Sequence, residues 1–538
     1  MKNTIKKILL AGVVILSACT KLKDTSYNQI ITDQFNPSAS DLESLVGAAY
    51  VNWRDVLNEW NGLFRAQEVS SDETVIPARP NGWVDGGPYR RLHEHKWTAD
   101  DDITVNTWTR SFAGISNCNR VIYQLESGMI PVASGKDAIL AELRVLRASY
   151  YYVLCDMYGN VPIVTDFNVP QGYLPTQSTR KEVYDFIIKE IKDNLSLLSA
   201  KNDKTTYGKF NQWAAHALLA KMYLNAGVYT GTTDWDNCIA ECEIIRNSGA
   251  GFILEPIQRN VFLTDNEESK EIIFALPFDE TYVTNWNAFA IHMETLQPAN
   301  QATYNLKSTP WGGICAIPQF INTFDHDDAR YQDNWIKGQQ YSATGEALLC
   351  TMGAYTGKPL AFVNEVPGVD QSEEIHGFRL GKFEIKKNAN VQLSNDWPLF
   401  RYADILMMEA ESLLRKGNAA EAAALVTQVR QRNFTEHPEK AIVTAADLLK
   451  GSAYNYGLRN HLNQTVEGGD DVEYGRFLDE LGWEFAQEGR RRQDLIRFNV
   501  FTKKSWFSHT PNGDYRKLFP IPRIEMNKNA NLKQNDGY

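Results

Sequence analysis

The 538-residue chain has no apolar stretch long enough to cross a membrane. Its longest N-terminal candidate, Ile8 to Leu16, falls well short of the about 20 residues a spanning helix needs, and a polytopic membrane protein is excluded. Basic charge is also short. The 55 Lys and Arg residues stand against 66 Asp and Glu, giving a net charge of -11. Such a balance repels phosphate backbones and anionic membrane surfaces, so nucleic acid is not an expected partner. No phosphate-binding glycine loop, dinucleotide fingerprint or recognised hydrolase signature is present. Cysteine is scarce as well, and beyond Cys19 only Cys118, Cys155, Cys238, Cys242, Cys315 and Cys350 remain. Cys238 and Cys242 are an i,i+4 pair in a helical pattern, which places their Cβ atoms about 5–6 Å apart, beyond the roughly 3.5–4.5 Å of a disulfide. Buried free thiols are expected.

Aromatic residues are plentiful: 13 Trp, 24 Tyr and 24 Phe. That number of tryptophans asks for a use beyond core filling. Sugar rings have apolar C–H faces rimmed by hydroxyls, and a site for them needs flat aromatics plus a few fixed polar groups. A sugar-binding surface is one such use.

The N-terminus reads as an export signal, with Lys2, Lys6 and Lys7 ahead of the short apolar run. The sequence Leu16-Ser17-Ala18-Cys19 resembles a bacterial lipobox, so residues 1–18 are expected to be a lipoprotein signal peptide and Cys19 the lipid attachment site. Residues 19–40 are then a polar tether.

Helical periodicity follows from Asp41, from Ile103 to Leu125 and from Asp137 to Met157, where Gly159 stops the helix. It resumes at Glu182 to Leu198, Phe210 to Leu224, Trp235 to Arg246, Ala403 to Arg415 and Ala419 to Arg430. In Phe210 to Leu224 the residues Trp213, Ala217, Ala220 and Leu224 alternate large and small at helical spacing, as tetratricopeptide-type repeats do, although no strict repeat period emerges. The expected fold is mostly α. Stacked tetratricopeptide-like helix pairs over 41–276 and 397–538 form a superhelical scaffold, and an irregular, loop-rich second lobe over 277–396 contributes to a binding site. Residues 61–100, rich in Gly and Pro around Trp83 and Trp97, read as loop.

Trp53, Trp60, Trp108, Trp213, Trp235, Trp397, Trp483 and Trp506 lie in or beside helical patterns and are assigned to the core. Of Trp83, Trp97, Trp286, Trp311 and Trp335, the strongest candidates for ligand contact are Trp83, Trp286 and Trp311, because polar or glycine neighbours leave their rings accessible. Arg65, Asp85 and Tyr89 could orient hydroxyls. Coplanar rings would make a platform for a flat β-linked backbone, and xyloglucan or another β-glucan is the first expectation, a starch-like helix the second. His93-Glu94-His95 supplies too few ligands for a metal site, and Asp100 to Asp102 are expected to cap the helix that follows. No catalytic residue, metal or cofactor is assigned. A surface glycoside hydrolase or lyase on a helical scaffold is the alternative, since the sequence cannot exclude two carboxylates facing across a cleft.

Four blocks spread over the chain carry a family resemblance. They are the lipobox; Asn117-Cys118-Asn119-Arg120-Val121-Ile122 with Ala141 to Tyr151 and Tyr158-Gly159-Asn160-Val161-Pro162; Arg401 to Leu406 leading into Ala410-Glu411; and Glu484 to Arg497 with Phe519-Pro520-Ile521-Pro522 and Gln534 to Tyr538. Together they resemble the SusD-like (RagB/SusD) outer-membrane lipoproteins of Bacteroidetes. The resemblance implies a non-catalytic, cell-surface glycan-binding protein that hands oligosaccharide to a SusC-like TonB-dependent transporter. A peptide-binding member of the same family is a further alternative. The blocks themselves read as architecture, with Arg490 and Asp494 spaced for a helix-surface pair.

Overall fold

A computed structural model describes residues 39–58, 60–283, 289–460 and 464–538. Cys19, the expected signal peptide over 1–18 and Trp286 lie outside the described residues.

The expected helices are present. Helices Ala39–Leu57, Asp102–Glu126, Lys136–Met157 and Arg180–Asn194 pack in sequence, each against the next. Gln212–Leu224, Trp235–Arg246, Tyr402–Arg415 and Ala419–Gln431 continue the stack, again neighbour on neighbour. Local chemistry sets the ends. Thr179 and Glu182 form a reciprocal capping box, Asn211 accepts the Ala214 N–H at 2.9 Å, and Gly159 takes φ +72°, a left-handed conformation that stops the helix before it. Helices 102–126 and 136–157 approach closely because Gly114 has no side chain where the Tyr150 ring sits: a Cβ there would lie 2.4 Å from it. Tyr150 in turn stacks on Trp53 with centroids 5.5 Å apart and donates to the Ala49 carbonyl at 2.6 Å, joining three helices at one point.

The lobe between the helical segments is built of short helices and two-stranded ribbons. Strand Ile272–Leu276 pairs antiparallel with Trp397–Arg401 where the chain leaves and rejoins the scaffold. Within the lobe, Trp335–Ile336 pairs with Arg379–Leu380 and Gly338–Gln339 with Ala361–Phe362. Residues 61–100 are less loop-like than expected, since they contain helices Leu63–Glu68 and Pro88–His93. Each is under two turns, too short to leave a periodic signature.

A buried ion network locks the halves together. Arg401 meets Glu271, Glu484 and Glu488 at 2.7, 2.8 and 2.7 Å, and Arg432 and Arg330 reach Glu484 at 2.6 and 3.1 Å. Lys382 of the lobe meets Glu488 at 2.5 Å. Arg490 is no surface residue. It is buried, pairs with Asp404 and lies 3.5 Å from Asp494, because the family blocks at 401–406 and 484–497 fold against each other. The six described cysteines are free and buried.

Candidate functional site

The loops around Trp83 and Trp311 are brought together by backbone pairing. Thr74–Val75 lies antiparallel to Cys315–Ala316, in the register Thr74 to Ala316 and Val75 to Cys315. Arg79 reinforces this ribbon, donating from Nε to the Gly313 carbonyl at 3.0 Å and from Nη1 and Nη2 to the Glu373 and His376 carbonyls at 2.6 and 3.1 Å. The Trp311 loop is held from behind as well, its N–H donating to Met293 and that of Gly313 to Glu294, each at 2.6 Å. Trp83 then closes over it: its indole N–H donates to the Trp311 carbonyl at 2.9 Å, and Asn81 donates to the same oxygen.

Trp83 adopts φ +67° and Asp85 φ +40°. Positive φ is costly for a bulky residue and persists where the surroundings over-determine it, as they do at ligand sites. Gly313 explains how the ring fits, since a Cβ at that position would lie 2.4 Å from the Trp83 indole. The glycines beside Trp311 therefore make room for a second ring as much as they expose the first. Trp83 itself is only 7% exposed.

The exposed ring of the cluster is Trp60, at 39%. Helix Ala39–Leu57 ends ahead of it, so Trp60 stands clear of the helical stripe to which the sequence assigned it. Its centroid lies 5.6 Å from Trp83 with planes at 49°, and 5.5 Å from Trp311 with planes at 87°. Trp83 also meets Tyr89 at 5.4 Å and 54°. Trp60 is thus steeply angled to both neighbours, while the platform expected from the sequence included Trp286, which lies outside the described residues. Asn61-Gly62, a turn signal directly after Trp60, is the local feature that could have marked it as a loop residue.

Arg65, Asp85 and Tyr89 lie at this cluster. The Arg65 guanidinium carbon sits 5.0 Å from the ring centroids of both Trp60 and Tyr89, and its Nη2 meets Glu294 at 2.5 Å. Burial raises the Glu294 carboxyl from its ordinary value against the pull of Arg65. The Tyr89 hydroxyl donates to Asp85 Oδ2 at 2.8 Å, and burial pushes its own ionisation upward. Beside these residues opens a cavity of about 250 Å³, bordered by Trp60, Arg65, Asp85, Tyr89, Trp97 and Asp102.

The remaining candidates serve the fold. Trp97 is buried and stacks on Phe519 at 4.3 Å, and Trp335 is buried among Phe320 and Phe324. His93 and His95 are buried, their rings at 3.2 Å from the Val69 carbonyl and 2.6 Å from that of Ser70. Among the described residues no group of three or more His, Cys, Asp or Glu could hold a metal ion. Asp101 occupies the N-cap position of helix Asp102–Glu126 but its side chain does not cap it. It accepts the Thr98 N–H at 2.8 Å and pairs with Arg91 instead, a guanidinium being the stronger partner.

Angled aromatic rings and converging polar groups on a rigid helix-pair scaffold make up the architecture of a ligand-binding protein. A family model described as starch-binding, associating with the outer membrane, matches residues 24–224, and a model described as the SusD family matches residues 270–538. The chain belongs to the SusD family, whose members are non-catalytic binding proteins. The starch-binding protein SusD of Bacteroides thetaiotaomicron is 24% identical over 518 residues, 88% of this chain and 85% of that protein. SusD-like protein P25 of Formosa agariphila is 22% identical over 459 residues, 80% of this chain and 78% of the relative. Solved structures share the fold, among them the following two. A laminarin-binding SusD-like protein superposes with a TM-score of 0.70 at 19% identity, covering 94% of this chain and 100% of that one. Surface glycan-binding protein A from Bacteroides thetaiotaomicron, in complex with laminarihexaose, gives 0.68 at 17% identity, covering 93% and 100%.

Proposed function

We propose that this protein captures a neutral glucan at the Trp60, Trp83 and Trp311 cluster and delivers it to a SusC-like TonB-dependent transporter at the outer membrane. The observation that carries the reading is the exposed Trp60 ring set at 49° and 87° to its two neighbours. Sugar units stacking in turn on Trp60 and the half-buried Trp311, whose planes stand at 87°, must themselves turn, so a curved chain suits the cluster better than a flat β-1,4-linked ribbon such as xyloglucan. Two relatives of this fold are named for binding starch and laminarin, both curved glucans. In this reading residues 41–276 and 397–538 are the scaffold, 277–396 the lobe that supplies Trp311, and Cys19 the lipid anchor that keeps the chain at the membrane.

Calorimetric titration of the purified protein with maltoheptaose, laminarihexaose and xyloglucan oligosaccharides tests this. Binding of either curved glucan, weakened roughly thirtyfold by Trp60→Ala, is the expected result. Preference for xyloglucan would overturn the ligand class, and sustained release of new reducing ends would overturn the binding-only role.

A further inference from the structure

The cavity beside Trp60 has features that the aromatic cluster alone does not need. Its inner wall is apolar, formed by Leu92, Trp97 and Ile103, all buried. Its polar rim is dominated by carboxylates, Asp85, Asp101 and Asp102, against the single guanidinium of Arg65, whose charge Glu294 already faces. Two polar atoms at this cavity lack a hydrogen-bond partner among the described residues: Nε of Arg65, a residue only 4% exposed, and Oδ1 of Asn61. A buried donor and a buried acceptor left open cost free energy, and both belong to residues lining the cavity, so an occupant seated close against them that accepts one bond and donates another would relieve that cost. Hydroxyl groups do both.

We propose that this cavity is an end-unit subsite. It takes one uncharged pyranosyl unit with a free non-reducing end, either the last unit of a chain or a one-unit branch, while the units next to it rest on Trp60 and Trp311. The proposal rests on the glycan-binding reading above and narrows it. Size sets the single unit: about 250 Å³ lies below the roughly 300–1,000 Å³ of sites that enclose drug-sized ligands. Charge sets the neutrality: Asp101 is paired with Arg91, but Asp85 and Asp102 remain at the rim to repel a uronate or sulfate that the one, already paired, arginine cannot hold. Continuity sets the neighbour, since Trp60 belongs both to the ring cluster and to the cavity wall.

The test is calorimetry on the exported chain with maltohexaose and laminarihexaose, each with its terminal non-reducing unit intact or oxidised to the uronic acid. Binding of the intact form at least tenfold tighter than the oxidised form is expected. Asp102→Lys, on an exposed residue in the first helical turn, should abolish or reverse that preference. Trp60→Ala should weaken every ligand. A glucan polymer bearing single-unit branches that binds tighter than its linear counterpart identifies the branch as the source. Equal binding of the two polymers identifies the chain end. Equal affinity for intact and oxidised ends, or a preference that Asp102→Lys leaves unchanged, overturns the subsite and leaves the glucan site standing. Failure of the native protein to bind any of these glucans overturns both.

Discussion

Arg401 and Glu484 hold each other twice across 83 residues of chain: Nη1 lies 2.8 Å from the carboxylate Oε1, and Nη2 donates to the Glu484 carbonyl at 2.9 Å. The same guanidinium serves Glu271 and Glu488, all of them buried. Removing the cation leaves three carboxylates short of a partner inside the protein, and breaking a buried pair from one side costs about 3–5 kcal/mol. Arg401→Met should lower the unfolding free energy by that amount, read as a fall in the urea midpoint with the slope unchanged. A loss under about 1 kcal/mol would mean that Arg432 and Lys382 take over the whole network.

The joint between these two blocks shows where sequence reading stops. Helical stripes at 103–125, 137–157 and 403–415 were legible because their periodicity is written in consecutive residues, and the helices end within a residue or two of the expected limits. Arg490 and Asp494 carry a local spacing that is true and a burial that is not local, since Asp404 reaches Arg490 only through the folded chain. Trp60 and Trp83 exchanged roles for the same reason. Neighbouring polar residues suggested an open Trp83, whereas exposure was decided by Gly313, more than two hundred residues away, making room for its ring. Asp101 was drawn from the cap by Arg91.

Glu68 gives a pH dependence of definite sign. Burial raises its carboxyl from 4.5 to about 7, with Glu73 beside it and the Gly489 N–H donating to it at 2.8 Å. Between those values the native chain keeps a proton that the unfolded chain has lost, so this group's stabilisation falls as pH rises from about 4.5 to about 7. His93 and His292, which burial lowers from 6.5 to about 4, act oppositely, because there the unfolded chain holds the extra proton. The whole-protein profile mixes both signs, and a difference measurement separates them. The stability of Glu68→Gln minus that of the native chain should move in favour of the variant from pH 4.5 to 7 and level off above. A difference that does not change with pH would show that Glu68 ionises normally.

Gly313→Ala should injure the ring cluster without touching a ring. Its Cβ would fall 2.4 Å from the Trp83 indole, so that side chain must move, and overpacking of this kind costs about 1–3 kcal/mol. Glucan affinity should drop together with the melting temperature. Gly47→Ala, where nothing lies within 4 Å of the added carbon, is the control and should be neutral or stabilising by up to about 1 kcal/mol. Unaltered glucan binding by Gly313→Ala would remove Trp83 from the site.

Cys19→Ala tests the anchor. Two or three acyl chains hold a protein on a bilayer firmly where one binds marginally. The variant should therefore leave the membrane fraction for the soluble one after cell lysis, with the glucan affinity of the purified chain unchanged. Retention of Cys19→Ala in the membrane of cells that lack the proposed transporter would exclude the lipid as the anchor.

Trp60, Trp83 and Trp311 should differ in how their losses divide between folding and binding. Trp60 is 39% exposed and makes edge and tilted contacts, so truncating it removes ligand contact area but little core. A central aromatic anchor costs at least about 2 kcal/mol of binding when cut to alanine. Trp60→Ala should then weaken glucan binding roughly thirtyfold at a nearly unchanged melting temperature, the small change reflecting one lost cation–π contact to Arg65. Trp83 is 7% exposed and hydrogen-bonded to the Trp311 carbonyl, so Trp83→Ala should lose about 3–5 kcal/mol of stability as well as affinity. Trp311→Ala should fall between them, its half-buried ring lying edge-on to Trp60. Calorimetry paired with thermal melts on the three variants separates the two effects. If Trp60→Ala binds as the native chain does while Trp83→Ala loses affinity only in proportion to its unfolding, the sugar does not rest on this cluster, and the site must be sought elsewhere on the lobe.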